Sequence, residues 1–192
     1  MGEGGAISIN NDAYIEKAEI LREKGTNRSA FFRGQVDKYT WVDFGDSYLP
    51  SEINAAYLWP QLMHADEINA DRLSSWERYH KELLPYAGNG MLELQEVPEG
   101  CVHNAHLFYI KLASLQERTD FIKYMKARGI SCVFHYVPLH SAPAGLRFGR
   151  FSGEDRHTTD DSERLVRLPL YYGLSPESQS EVIQGVKEFL LK

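Results

Sequence analysis

The sequence predicts an α/β chain that closes in a small α+β domain, and three observations carry that prediction. Stretches with apolar residues every three or four positions alternate with short runs rich in β-branched and aromatic residues, the pattern of mixed helix and strand. Helix starts are signposted: Ser114 stands three residues before Glu117, and Ser175 stands directly before Pro176. A Gly88-Asn89-Gly90 break separates a long helical pattern from the β-rich end and reads as a hinge.

Taken in order, Glu3 to Asn10 reads as a glycine turn and a strand already under way, as if in the middle of something larger. Asn11 or Asp12 caps a helix in which Ile15, Ala18 and Leu21 or Arg22 keep the i, i+3, i+4 spacing, and Gly25 ends it in the left-handed conformation. Residues 26–48 form an aperiodic loop carrying Phe31, Phe32, Tyr39, Trp41 and Phe44; a loop of that length in a compact protein serves function or subunit contact more often than not. From Pro50 to about Ala87 the apolar seam is helical, and Pro60 must kink or interrupt it. Then follow a strand over 102–112, a helix from Ser114 through Arg128 stopped by Gly129, and a strand over 131–137. A loop over 138–160, a short helix over 162–167 and the extended Leu168-Pro169-Leu170 lead to a last helix, whose buried stripe is Val182, Val186, Phe189 and Leu190. The expected division is 1–49, 50–88 and 89–192.

Composition narrows the function. With 192 residues, 43% hydrophobic and 25% charged, the chain is an ordinary globular one. A net charge of -6 disfavours a nucleic-acid surface, which needs clustered cations to neutralise phosphates. No apolar run is long enough to span a bilayer, and the first residues lack the basic and apolar parts of a secretion signal, so a cytoplasmic protein with small-molecule partners is expected. Cys101 and Cys132 are too few for a disulfide scaffold and read as structural.

Three stretches could carry chemistry. Gly45-Asp46-Ser47-Tyr48 runs toward a helix start without any phosphate-loop lysine, so an anion could dock near Ser47 on backbone N–H groups; the plainer alternative is that Ser47 or Ser51 caps the helix. Cys101, His103 and His106 hold soft ligands close together, but strand geometry points His103 and His106 to opposite faces, which works against zinc. His135 and His140 flank Pro138, which could turn the chain so that both imidazoles face a hydroxylated or phosphorylated ligand. No Ser-His-Asp elbow appears, and no lysine sits where desolvation would activate it as a nucleophile.

In order, the segments EGGAISIN, REKGTNRSAFFRGQVDKYTW, SYLPSEINAAYLWPQL, NAHLFYIKL, FHYVPLHSAPAG and ERLVRLPLYYGLS resemble the C-terminal half of sugar aminotransferases of the DegT/DnrJ/EryC1/StrS family. The resemblance implies the C-terminal portion of the aspartate-aminotransferase fold, the cofactor pyridoxal 5'-phosphate, a nucleotide-sugar substrate, and a homodimer with sites built across its interface. Residues 1–49 would be a remnant of the large cofactor-binding domain, 50–88 a long connecting helix and 89–192 the small domain. The family's cofactor-bearing lysine lies just before the EGGA segment, hence upstream of Met1, so this chain alone is expected to bind no cofactor and to be inactive. By the same resemblance, Ser47 would meet the phosphate of the partner subunit's cofactor. Thr26, Asn27, Arg28 and Tyr39 would border the nucleotide sugar, with Arg28 on its diphosphate, and His135 and His140 would lie in the small-domain wall of the site. Ser47 stands where the family most often has Asn, Asp46 adds an acid beside an expected dianion, and Pro60 is a further departure. A non-catalytic module that binds a nucleotide sugar or a partner subunit is the alternative, and a zinc hydrolase built on residues 101–106 a third. Uncovered Ile7, Ile9 and the aromatic loop are expected to drive self-association.

Overall fold

The computed structural model describes residues 2–192; Met1 lies outside the described residues. The chain divides into two compact units, one running through Ala65 and the other Asp66–Lys192.

In the first unit a 3-10 turn, Asp12–Tyr14, leads into helix α1, Ile15–Arg22, because the Asn11 side chain accepts a hydrogen bond from the Ala13 N–H at 3.0 Å. The helix ends as two consecutive left-handed residues, Lys24 and Gly25 with φ of 63° and 73°, return the Gly25 N–H to the Ile20 carbonyl at 2.9 Å. A short helix α2, Arg28–Phe32, occupies part of the expected loop. Helix α3, Glu52–Met63, starts at Ser51, whose hydroxyl accepts from the Asn54 N–H at 3.2 Å. The strand expected over 3–10 does not form: the described residues there join no ladder, and a strand without a neighbour leaves its N–H and C=O groups to water. The interruption attributed to Pro60 falls at His64, while Pro60 itself stays inside α3.

Helix α4, Ala65–Gly88, belongs to the second unit from its second residue, Asp66, onward and tolerates Pro85 near its end. Four antiparallel strands, β1 (Glu93–Leu94), β2 (Phe108–Lys111), β3 (Val133–Phe134) and β4 (Leu165–Leu168), form a sheet in the order β1-β2-β4-β3. Phe108 pairs with Leu168, Ile110 with Val166 and Val133 with Arg167. Helix α5, Leu115–Ala127, opens as the sequence predicts: the Ser114 hydroxyl accepts from the Glu117 N–H at 3.2 Å, while the Glu117 carboxylate takes the Ala113 N–H at 2.7 Å. Helices α6 (Pro143–Phe148), α7 (Thr158–Arg164) and α8 (Pro176–Leu190) complete it, with α8 capped by Ser175. The helix expected over 162–167 is displaced, because Leu165–Leu168 pairs on both sides as an inner strand whose Val166 and Leu168 point into the core.

That core belongs wholly to the second unit. Tyr79 and Leu83 of α4, Phe108 and Ile110 of β2, Phe121 and Met125 of α5, Val166 of β4 and Val186 of α8 are fully buried, and the Tyr79 hydroxyl donates to the Pro169 carbonyl at 2.9 Å. Buried Cys132, its thiol pushed up to about 12 by desolvation, behaves as a small hydrophobe; Cys101 is exposed and outside any strand. No hydrophobic side chain among the described residues of the first unit is buried, and Phe44 and Ile53 are 82% and 81% exposed. Among the described residues no helix is long and apolar enough to cross a membrane.

Candidate functional site

The first unit is held together by backbone rather than by a core. Gly25 and Gly45 lie against each other so closely that a Cβ on Gly25 would collide with the Asp43 carbonyl, and one on Gly45 with the Gly25 amide. Across this seam the Asp46 N–H donates to the Leu21 carbonyl at 2.9 Å, the Lys24 N–H to the Asp46 carbonyl at 3.1 Å, and the Val42 N–H to the Gly25 carbonyl at 2.8 Å. The Gly45-Asp46-Ser47 turn is thereby seated on the end of α1, and an open cavity of about 260 Å³ forms beside it.

Four of the residues singled out in the sequence, Thr26, Arg28, Tyr39 and Ser47, line that cavity, together with Arg22, Glu23, Lys24 and Leu49. Asn27 does not: its side-chain oxygen accepts from the Thr40 N–H at 2.7 Å and pins the segment after Tyr39 to the start of α2. Tyr39 is steadied by an edge-on contact with Phe31 at 5.7 Å, and the Arg28 guanidinium lies 5.2 Å from the centre of the Phe32 ring. The Thr26 hydroxyl donates to the Glu23 carbonyl at 2.8 Å.

The turn does not work as an anion cradle through its backbone. The Ser47 N–H is taken by its neighbour's Asp46 carboxylate at 2.7 Å, the Tyr48 N–H by the Arg22 carbonyl at 3.2 Å, and α3 starts only at Glu52 with Ser51 as its cap. What the cavity offers an anion is therefore side chains: the Ser47 hydroxyl and the cations of Arg22, Lys24 and Arg28, against one carboxylate, Glu23, which accepts from the Ser29 hydroxyl at 2.8 Å. Two other cations of this unit are matched. Lys17 pairs with Asp43 and holds its carboxyl below the usual range, and Arg33 grips Glu19 with both terminal nitrogens and lowers that carboxyl too.

In the second unit the two predicted histidines make separate contacts instead of forming a pair. The His140 Nε2 lies 2.8 Å from the Asp155 carboxylate and its ring 4.5 Å from Phe151, with the Thr159 hydroxyl also donating to Asp155. The His135 ring packs edge-on against Tyr136 at 5.0 Å, and its Nδ1 is buried without a hydrogen-bond partner. His103 accepts from the Ala105 N–H at 3.3 Å and packs on Trp76 at 4.5 Å; among the described residues no group of three or more His, Cys, Asp or Glu could hold a metal ion. Arg22 and Lys24 escaped the sequence reading because they stand at a helix end, where cations are commonplace.

The DegT/DnrJ/EryC1/StrS aminotransferase family model matches residues 1–187, and the chain belongs to that family. Protein MJ1066 of Methanocaldococcus jannaschii is 28% identical over 196 residues, covering 98% of this chain and 50% of that protein. The dTDP-3-amino-3,4,6-trideoxy-alpha-D-glucose transaminase of Micromonospora megalomicea subsp. nigra is also 28% identical, over 98% of this chain and 48% of its own length. The solved structure of ntda from Bacillus subtilis, with bound cofactor PMP, superposes with a TM-score of 0.78 at 22% identity over 95% of this chain and 41% of that one. The fold is thus the C-terminal portion of the aspartate-aminotransferase fold, as the resemblance implied. The chain spans about half the length of the curated relatives it matches.

Members of this family use pyridoxal 5'-phosphate, and the residues present fit one end of it. Ser47, with a hydroxyl free of partners among the described residues, stands beside three cations and suits a phosphate. No described lysine suits the aldehyde end. None is buried, and Lys111, gripped by Glu93 at 2.6 Å and by Asp161 at 2.9 Å, is held protonated, its affinity for the proton raised by both.

Proposed function

We propose that this chain supplies the C-terminal portion of a pyridoxal-phosphate-dependent nucleotide-sugar aminotransferase of the cytoplasm, working as a homodimer. The substrate is a dTDP-4-keto-6-deoxyhexose and the product its 4-amino sugar, with glutamate as amino donor, the reaction of dTDP-4-amino-4,6-dideoxygalactose transaminases in surface-polysaccharide biosynthesis. The amine that carries the cofactor comes from residues outside these 192. The observation that carries the reading is the gathering of Thr26, Arg28, Tyr39 and Ser47 around one cation-rich cavity.

When bound, the cofactor supplies the electron sink that lets an amino group pass between amino acid and keto sugar. The work of this chain is to bind and orient. The Ser47 hydroxyl donates to the phosphate of the cofactor held by the partner subunit, where a short side chain reaches less far than an amide would. Arg28 presents a planar fork to the nucleotide sugar's diphosphate, and Tyr39 offers a ring and a hydroxyl to the sugar nucleotide. Asn27 holds the Tyr39 segment in place through Thr40. His135 and His140 contribute wall: His140 is fixed by Asp155, and His135 retains a buried nitrogen for a polar contact.

The test is complementation. The purified 192-residue chain is expected to show neither the visible absorbance of the bound cofactor nor turnover, and to gain both when co-expressed with a polypeptide carrying the family's N-terminal half. Turnover by the chain alone, or none from the pair, would overturn the proposal.

A further inference from the structure

Of the cations around the first unit's cavity, Arg28 rests on the Phe32 ring, while the side chains of Arg22 and Lys24 make no hydrogen bond, ion pair or ring contact among the described residues. Basic residues at a helix C-terminus ordinarily bond the last carbonyls or offset the macrodipole. Here that task is already done by backbone: the Ile20 carbonyl takes the Gly25 N–H, Leu21 takes that of Asp46, Arg22 takes that of Tyr48, and Glu23 takes that of Thr26. Carboxylates offset them only in part, although the chain carries a net charge of -6: Arg22 feels the Glu19 carboxylate, which Arg33 already grips. Lys17 and Arg33 are paired, yet among the described residues no carboxylate is in ion-pair contact with Arg22, Lys24 or Arg28.

Lys24 adds a second, independent observation. Its φ of 63° lies in the left-handed region, which an L side chain other than Asn or Asp seldom occupies. The conformation is imposed from both sides, by the bond from the Lys24 N–H to Asp46 and by the Gly25–Gly45 seam next to it. Glycine would satisfy that backbone without strain. A lysine at such a position, lining a cavity that Arg22, Arg28 and Ser47 share, points from strain to function.

We propose that Arg22 and Lys24 join Arg28 in a diphosphate-binding subsite, and that the two are ligands of the diphosphate that links nucleoside to sugar. The proposal rests on the nucleotide-sugar reading above and adds the residues that select a diphosphate over a phosphate monoester. Three cations against Glu23 leave about two positive charges, enough to balance the two negative charges of a diphosphate diester, whereas Ser47 alone suits one phosphate group. Each contact is exposed, so each is modest and weakened by salt, and affinity depends on all three acting together.

Calorimetric titration of the 192-residue chain at low salt, with inorganic pyrophosphate, inorganic phosphate and pyridoxal 5'-phosphate as separate probes, tests this. Pyrophosphate is expected to bind about tenfold more tightly than either monophosphate. Arg22→Gln and Lys24→Gln should each weaken it about five- to tenfold, Lys24→Arg should hold it within about twofold, and Lys126→Gln, in the second unit, should leave it unchanged. Lys24→Gly is diagnostic, since it relieves strain: pyrophosphate affinity falls while the thermal midpoint does not. Equal affinity for pyridoxal phosphate and pyrophosphate overturns the diphosphate assignment, and so does the absence of pyrophosphate binding or its indifference to both glutamine variants. Amino-sugar formation by the complemented pair is scored separately. An unchanged KM in Lys24→Gln there sinks the subsite and spares the enzyme reading; an inactive pair sinks the enzyme reading and leaves the pyrophosphate result standing.

Discussion

At the scale of single residues, backbone contacts and hydrogen bonds decide more than side-chain burial does. Gly25 has a positive φ and no room for a Cβ, so Gly25→Ala combines left-handed strain with a collision against the Asp43 carbonyl and is expected to cost more than about 2 kcal/mol. The check is hydrogen exchange: amides of Val42, Asp46 and Tyr48, which bond across the seam, should lose their protection in the variant. A titration supplies a second prediction. The Thr159 hydroxyl, then the Thr159 N–H and His140, hold the Asp155 carboxyl below its ordinary value of 3.8. A depressed folded value means the contribution is complete above the ordinary carboxylate range and is lost as pH falls through the lowered one, so the contacts around His140 persist at pH 7 and loosen in acid. Thr159→Val should move the Asp155 titration upward toward 3.8 in a carboxyl NMR titration; an unmoved value would assign the shift to another group. Ser47 drew notice from its turn and Thr26, Arg28 and Tyr39 from family resemblance, and that these four line one cavity is what the structure adds. Arg22 and Lys24 were hidden because a Lys-Gly pair at a helix end advertises termination, and the left-handed angle on the lysine rather than the glycine alone is visible only in three dimensions.

At the scale of elements, local signals succeeded where local physics governs. The caps at Ser114 and Ser175 and the stop at Gly25 are short-range hydrogen-bond patterns, and the structure has all three. Ser114→Ala should therefore remove about 1 kcal/mol from the second unit, read as a lowered urea midpoint with an unchanged slope. Strands were another matter. Leu165–Leu168 follows α7 with no break residue, and nothing within those four residues distinguishes a last helical turn from a strand. Ladders to β2 on one side and β3 on the other decide it, and both partners are remote in sequence. Conversely, Ile7 and Ile9 alternate as a strand should, yet no partner strand stands beside them among the described residues. Pairing is a property of two segments, so alternation in one predicts only readiness to pair.

At the scale of the whole molecule, the two units differ in what stabilises them. Asp66–Lys192 has its own sheet, flanking helices and a continuous apolar core, so it is expected to fold when expressed by itself. The other unit exposes Trp41 at 73%, Phe44 at 82% and Trp59 at 65%, and it has backbone bonds and surface ion pairs in place of a core. Covering one such side chain stabilises by about 1.5–3 kcal/mol, so a few covered at once exceed what exposed ion pairs contribute. Association is therefore expected to govern the order of this unit: the 192-residue chain should scatter light as a dimer or larger species. Amides of residues 26–44 should gain exchange protection as concentration rises, while those of β2, β4, α5 and α8 stay protected throughout. Replacing Trp41, Phe44 and Trp59 together by serine should shift the species toward monomer and leave the second unit's unfolding midpoint in place. A monodisperse monomer whose residues 26–44 are already protected would mean that this unit has a source of stability other than a covering partner.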